Sequence, residues 1–105
     1  MTFVGHPFGY AAVETLTDHR TLTVAEVKSA PFRAFDPGGS ARNLVLPAEA
    51  SSAGLWMFIA NRADAAEILT IQDDTPATVC TPTQGECAIV WCDGTVWEGG
   101  TLTSS

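Results

Sequence analysis

A chain of 105 residues, 46% apolar and only 16% charged, has the material for one domain with a core of its own, which excludes a disordered segment. Five basic residues stand against twelve acidic ones for a net charge of −7, and the basic ones (Arg20, Lys28, Arg33, Arg42, Arg62) are scattered. That field repels phosphate backbones and anionic bilayers, so neither nucleic acid nor a membrane is an expected partner.

Residues 1–10 carry no basic region followed by an apolar run, and no segment approaches the length of a membrane span. The expectation is a soluble protein made in the cytoplasm. The same stretch sets Phe3, Val4, Phe8 and Tyr10 among Gly5, His6, Pro7 and Gly9, with neither helical nor strand period. It reads as a frayed terminus or as an arm laid across the domain or a neighbouring subunit.

Residues 14–18 are a candidate strand and 18–20 a turn. Thr21-Leu-Thr-Val-Ala-Glu-Val27 alternates with period two, which predicts a half-buried strand. Residues 31–36 predict another, placed at a sheet edge by Pro31. Phe32 and Phe35 are three apart and cannot both point inward without a bulge. Asp36-Pro-Gly-Gly-Ser40 is a turn, because proline sets the first corner and glycine accepts positive φ. Residues 42–46 form the next strand, with Leu44 and Leu46 inward, and 47–54 has room for one helical turn.

Leu55-Trp-Met-Phe-Ile-Ala-Asn61 is apolar at both parities, so a strand made of it needs cover on both faces. After a loop, Asp64-Ala-Ala-Glu67 resembles a helix cap, but the apolar run behind it is short and 67–72 reads as a strand. Asp73-Asp-Thr-Pro76 turns the chain, 77–81 is a short strand, and 83–85 turns again. Residues 86–92 are the second densely apolar strand. Asp93-Gly94 then suits a type I′ hairpin into 95–98. About eight short antiparallel strands without a long helix predict an all-β fold, a jelly-roll-like sandwich or small barrel with an extended N-terminal arm. The predicted organisation is an arm over 1–12, a β-sandwich domain over 13–98 and a polar tail over 99–105. Leu44, Leu46, Leu55, Met57, Ile59, Ile71, Ile89, Trp91 and Trp97 are the expected fold-forming side chains.

Chemistry-bearing groups do not converge in the pattern. His6 and His19 have no ligand at metal spacing, and Asp73-Asp74 is ordinary turn chemistry rather than a hydrolytic pair. Asp36, Asp73, Asp74 and Asp93 lack the oxygen spacing of a calcium loop. Cys80, Cys87 and Cys92 are odd in number, without a Cys-x-x-Cys pair, and read as small buried apolar side chains. Neither metal, cofactor nor catalytic residue is expected. Trp56, Trp91 and Trp97 offer either a core or a sugar-stacking platform.

Arg42-Asn-Leu-Val-Leu-Pro47, the apolar strand closing in Ile59-Ala-Asn61, Leu69-Thr-Ile71, Gln84-Gly85 and the closing Cys92-Asp-Gly-Thr-Val-Trp97 together resemble virion proteins of tailed bacteriophages. Small head decoration (cement) proteins and β-rich modules of fibre proteins carry such segments. The resemblance covers about half the chain and brings no catalytic residues. It implies a symmetric β-protein, a trimer slightly ahead of a dimer, on the outer capsid surface. There it would bridge neighbouring subunits of the major capsid protein, with Phe3, Val4, Phe8 and Tyr10 as arm contacts. The alternative is a fibre or spike module binding host glycans through Trp56, Trp91 or Trp97.

Overall fold

The structure, a computed structural model, describes residues 9–102. The chain runs through β1 (Glu14–Thr15), β2 (Arg20–Thr21), α1 (Val24–Ser29), β3 (Phe32–Asp36) and β4 (Arg42–Val45). A 3-10 turn (Glu49–Ser51) leads to β5 (Trp56–Asn61), and β6 (Leu69–Gln72), β7 (Thr78–Cys80), β8 (Cys87–Cys92) and β9 (Trp97–Leu102) follow. Two sheets result, one ordered β1-β3-β5-β8-β9 and the other β2-β4-β6-β7.

The fold is mostly β, as the short-strand pattern implies, but the sheets are mixed. From β1 to β6 the chain steps from one sheet to the other and back. Strands of like parity therefore lie side by side and parallel: β1 with β3, β3 with β5, β2 with β4, β4 with β6. Only β5–β8, β6–β7 and β8–β9 are antiparallel. The expected antiparallel ladders are thus corrected for the first half of the chain. Turn signals mark where a strand stops, and they do not say which sheet receives the next one.

The core lies between the sheets. Phe35, Met57, Ile59 and Val90 from one sheet meet Leu44, Leu69 and Ile71 from the other, all fully buried. Trp97 belongs to this layer and donates from Nε1 to the Pro47 carbonyl at 2.8 Å. Leu22 and Val27 cover one end. The Phe32/Phe35 offset resolves without a bulge: Phe35 is buried and Phe32 points to the opposite, outer side. β3 lies inside its sheet, not at the edge, because Pro31 precedes the ladder and needs no donor in it.

Three further expectations change. Residues 24–29 are helical where a strand was predicted, because Thr23 and Glu26 form a capping box that satisfies the free N–H groups of the first turn. Arg33 closes the other end, its guanidinium donating to the Glu26 and Ala30 carbonyls. The β8–β9 connection is not type I′, since Gly94 alone has positive φ there; Asp93 Oδ1 instead accepts from the Thr95 and Val96 N–H groups. Finally, β9 runs from Trp97 to Leu102, beyond the strand expected over 95–98.

Arg20 ties β1 and α1 to the second sheet. Its guanidinium reaches Glu14 Oε2 at 2.8 Å on β1 and Glu26 Oε2 at 2.6 Å on α1 while its own backbone sits in β2. The hydrogen bond from Arg20 comes first among the effects that hold the Glu26 carboxyl down to about 2. A different polar anchor sits at the carboxyl end of β5. Asn61, fully buried, donates from Nδ2 to the carbonyls of Glu67 (2.9 Å) and Pro82 (3.0 Å), and its Oδ1 accepts from the Ala63 N–H.

Candidate functional site

The two outer faces of this sandwich differ in character. On the four-stranded sheet, alternation turns Thr21, Asn43, Thr70 and Gln72 away from the core, an ordinary solvated face. On the five-stranded sheet the same alternation turns out Phe32 and Ala34 from β3, Trp56, Phe58 and Ala60 from β5, and Cys87, Ile89 and Trp91 from β8. Gly100 and Leu102 continue it on β9. Among the described residues, the side chains in the middle of this face are all apolar, in a chain with seventeen charged residues.

The ladders fix how these side chains meet. One row runs Phe32–Phe58–Ile89–Gly100 across four strands, the next Ala34–Ala60–Cys87–Leu102, and a third pairs Trp56 with Trp91 and Trp91 with Glu98. Phe32 and Phe58 stack at 5.3 Å and 8°, and Trp56 meets both edge-on, at 5.6 Å and 6.1 Å. Such geometry adds about 0.5–1.5 kcal/mol per pair beyond burial and makes a stiff aromatic floor. Phe58 and Ile89 are half-buried, while Trp91 remains 45% and Leu102 49% exposed. A groove of about 290 Å³ lies over the small-residue row, between Tyr10 and Phe32 on one side and Cys87 on the other.

Among the described residues, charge frames this face. Asp36 and Glu98 stand at its ends, and Lys28 lies beside Pro31 and Trp56 where β3 begins. Both ion pairs between described residues belong to Arg20.

The structure separates the tryptophans. Trp56 and Trp91 are cross-strand neighbours on the outer face, whereas Trp97 is buried on the inner one. Ile89 and Trp91, expected among fold-forming side chains, also face outward. Tyr10 is 63% exposed and seated by a parallel bridge to Phe32, with the Ala11 N–H donating to the Phe32 carbonyl at 3.0 Å. Phe3, Val4 and Phe8 lie outside the described residues.

The cysteines are not uniformly buried: Cys80 and Cys92 are, but parity puts Cys87 on the outer face. Burial pushes the Cys80 thiol up to about 11, so it stays protonated and inert. His19 is exposed in the β1–β2 turn, where its Nδ1 accepts from the Asn43 N–H at 2.9 Å. That places it by the four-stranded sheet, whereas Cys87 lies on the other.

Carboxylates gather twice, with ligand oxygens within 4.8 Å of one another: Asp36 with Asp64 and Glu67, and Glu49 with Asp73 and Asp74. In the first group Glu67 Oε1 is buried without a hydrogen-bond partner. In the second, the Glu49 carboxyl rises above its ordinary value: its own backbone N–H lowers it, but hydrogen bonding to Asp74, desolvation and the Asp74 and Asp73 charges outweigh that.

The sequence signal for the outer face was present in the two strands apolar at both parities. What it lacked was the relative parity of Phe32 and the adjacency of β3 to β5. Comparison with protein-family models, with curated proteins and with solved structures finds no match.

Proposed function

We propose that this chain is a non-enzymatic virion structural protein, a capsid decoration (cement) protein of the tailed-phage type. It binds the outside of the head and bridges neighbouring major capsid protein subunits. The observation that carries the reading is the outer face of the five-stranded sheet, whose central side chains among the described residues are all apolar and on which Trp91 and Leu102 stand exposed. An apolar patch of this kind is costly in water and serves contact with protein. Tyr10, the one proposed arm residue within the described region, is seated at the margin of that face, so an arm would join the domain beside it. Repetition over a symmetric shell lets modest single contacts hold firmly.

The test is co-sedimentation with empty heads of the phage's major capsid protein. The full chain binds to saturation. A chain lacking residues 1–10 stays folded and loses binding; full occupancy by that truncated chain refutes the bridging role of the arm.

One observation favours a second reading, a fibre or spike module for host glycans: Trp91 stands exposed beside Trp56. Its signature is a change in tryptophan fluorescence on adding sugars, abolished by Trp91→Ala.

A further inference from the structure

The turn between β8 and β9 carries Asp93-Gly94, a pair with a covalent chemistry of its own. The Gly94 main-chain nitrogen can attack the Asp93 side-chain carbon Cγ. An N–Cγ bond forms, the carboxyl C–O bond breaks and water leaves, which gives a five-membered succinimide. Water then opens the ring at the main-chain carbonyl. The chain afterwards runs through the Asp93 side chain as isoaspartate, one methylene longer. Glycine hinders this attack least, because it has no Cβ to shield its nitrogen. Water alone is released and consumed.

The reacting groups are all engaged in the folded turn. The Gly94 N–H, whose proton must leave, donates to Cys92 Sγ at 3.4 Å. That thiol donates in turn to the Glu49 carbonyl at 3.7 Å, so the sulfur accepts as a neutral thiol and offers no base. The carboxylate is held as well: Asp93 Oδ1 accepts from the Val96 N–H at 2.9 Å and the Thr95 N–H at 2.8 Å. These two donors, Val96 first, hold the carboxyl below its ordinary value and so ionised. An ionised carboxylate has no hydroxyl to release as water. The peptide also has little room to rotate. Gly94 sits at φ 95° against the loop before β5, where an added Cβ would lie 3.1 Å from that of Ala53. Cys92 is fixed on both sides of its residue, donating to the Leu55 carbonyl and accepting from the Gly54 N–H, each at 2.9 Å.

We propose that Asp93-Gly94 is a latent modification site: the closed turn bars isoaspartate formation, and local opening of this end of the β8–β9 hairpin admits it. The bonds that fix the turn are the ones that protect it, so the lesion forms at a rate set by the opened fraction. Once formed, it changes the turn. The side-chain carbonyl becomes part of the main chain, so the Thr95 and Val96 N–H groups lose their acceptor. The extra methylene lengthens the loop that pairs Cys92 with Trp97. An isomerised turn cannot close as before. The inference concerns the chain alone and is independent of the virion reading.

The experiment incubates the full chain at neutral pH, folded and in urea, and counts isoaspartate with isoaspartyl methyltransferase. Loss of cleavage by an Asp-specific endoprotease places the lesion at Asp93. The folded chain should convert roughly tenfold or more slowly than the unfolded one. Cys92→Ala leaves the Gly94 N–H without its acceptor and should convert several-fold faster when folded, whereas Cys92→Ser should not. Asp93→Asn keeps the Oδ1 acceptor but releases ammonia instead of water. Its deamidation, read as a gain in mass, tests the geometry apart from the charge and should also slow roughly tenfold on folding. That variant keeps the test decisive if Cys92→Ala misfolds.

A folded chain that converts as fast as the unfolded one overturns the proposal. So does an unfolded chain that forms no isoaspartate at Asp93, or a folded Cys92→Ala chain that converts at the wild-type rate. An Asp93→Asn chain that deamidates equally fast in both states overturns it as well.

Discussion

Replacing Asn61 by alanine removes three hydrogen bonds from one fully buried position. The side chain joins the end of β5 to the carbonyl before β6 and to the Pro82 carbonyl before β8, so two connections are pinned by one amide. The Glu67 carbonyl and the Ala63 N–H lose their partner together, while the Pro82 carbonyl keeps only the Leu69 N–H. At about 1 kcal/mol net for each bond, and with the small cavity admitting at most a water, the loss comes to about 3 kcal/mol. For a domain of this size that lowers the melting temperature by roughly 15 °C. Asn61→Asp keeps the shape but points an acceptor at both carbonyls, and should cost at least as much. Asn43→Ala, on the solvated sheet, should stay within about 0.5 kcal/mol. Urea unfolding followed by tryptophan fluorescence and far-UV circular dichroism measures all three. A loss under about 1 kcal/mol for Asn61→Ala, at unchanged m-value, refutes the role given to this amide.

Three further outcomes are expected. Glu26 is lowered in the folded chain from 4.5 to about 2, so its contribution is fully present above pH 4.5 and disappears as pH falls through about 2. With its side chain 31% exposed and screened by solvent, that contribution is about 1 kcal/mol, and Glu26→Gln should flatten the acid limb of the stability curve by that amount. Glu67→Gln should raise stability by about 1 kcal/mol, because it removes a charge from the Asp36–Asp64 group and offers those carboxylates a donor; a loss instead contradicts carboxylate crowding there. Gly99→Ala should cost about 2 kcal/mol or more, since its Cβ would lie 2.2 Å from the Ile89 carbonyl oxygen, while Gly100→Ala meets open space and should be near neutral in chemical denaturation.

Much of the strand pattern was legible in the sequence. The segments at 42–46, 55–61 and 86–92 stand out because burial on one or both faces leaves period two or continuous apolar runs. Leu44, Leu46, Met57, Ile59, Ile71 and Trp97 were readable as core for the same reason. The helix at 24–29 was missed because Thr21-Leu-Thr-Val mimics strand alternation, while the capping box three residues apart held the stronger local signal. Sheet membership was beyond reach, because parallel pairing of β1, β3 and β5 depends on strands separated by whole excursions into the other layer. Asn61 was readable only as the polar end of a strand, since its donor partners are main-chain carbonyls that no side-chain pattern announces. Cys87 and Trp91 looked buried until the adjacency of β5, β8 and β9 gave the outer face its extent.

The stepping of the chain between the two sheets also sets a schedule for folding. Glu14 waits for Phe35, Phe32 waits for Phe58, and Arg42 waits for Leu69 before the first parallel ladders can close. The β8–β9 hairpin, in contrast, closes over a short loop between Cys92 and Trp97. Loop-closure entropy then favours nucleation at the carboxyl end and leaves β1 and β2 to join last. On the ribosome the order of synthesis is the reverse of that order of pairing. The first strands emerge with nothing to pair against, and the five-stranded sheet cannot be completed until β9 has left the exit tunnel. Pairing in this domain therefore begins with its last strands, after the first ones have already left the tunnel.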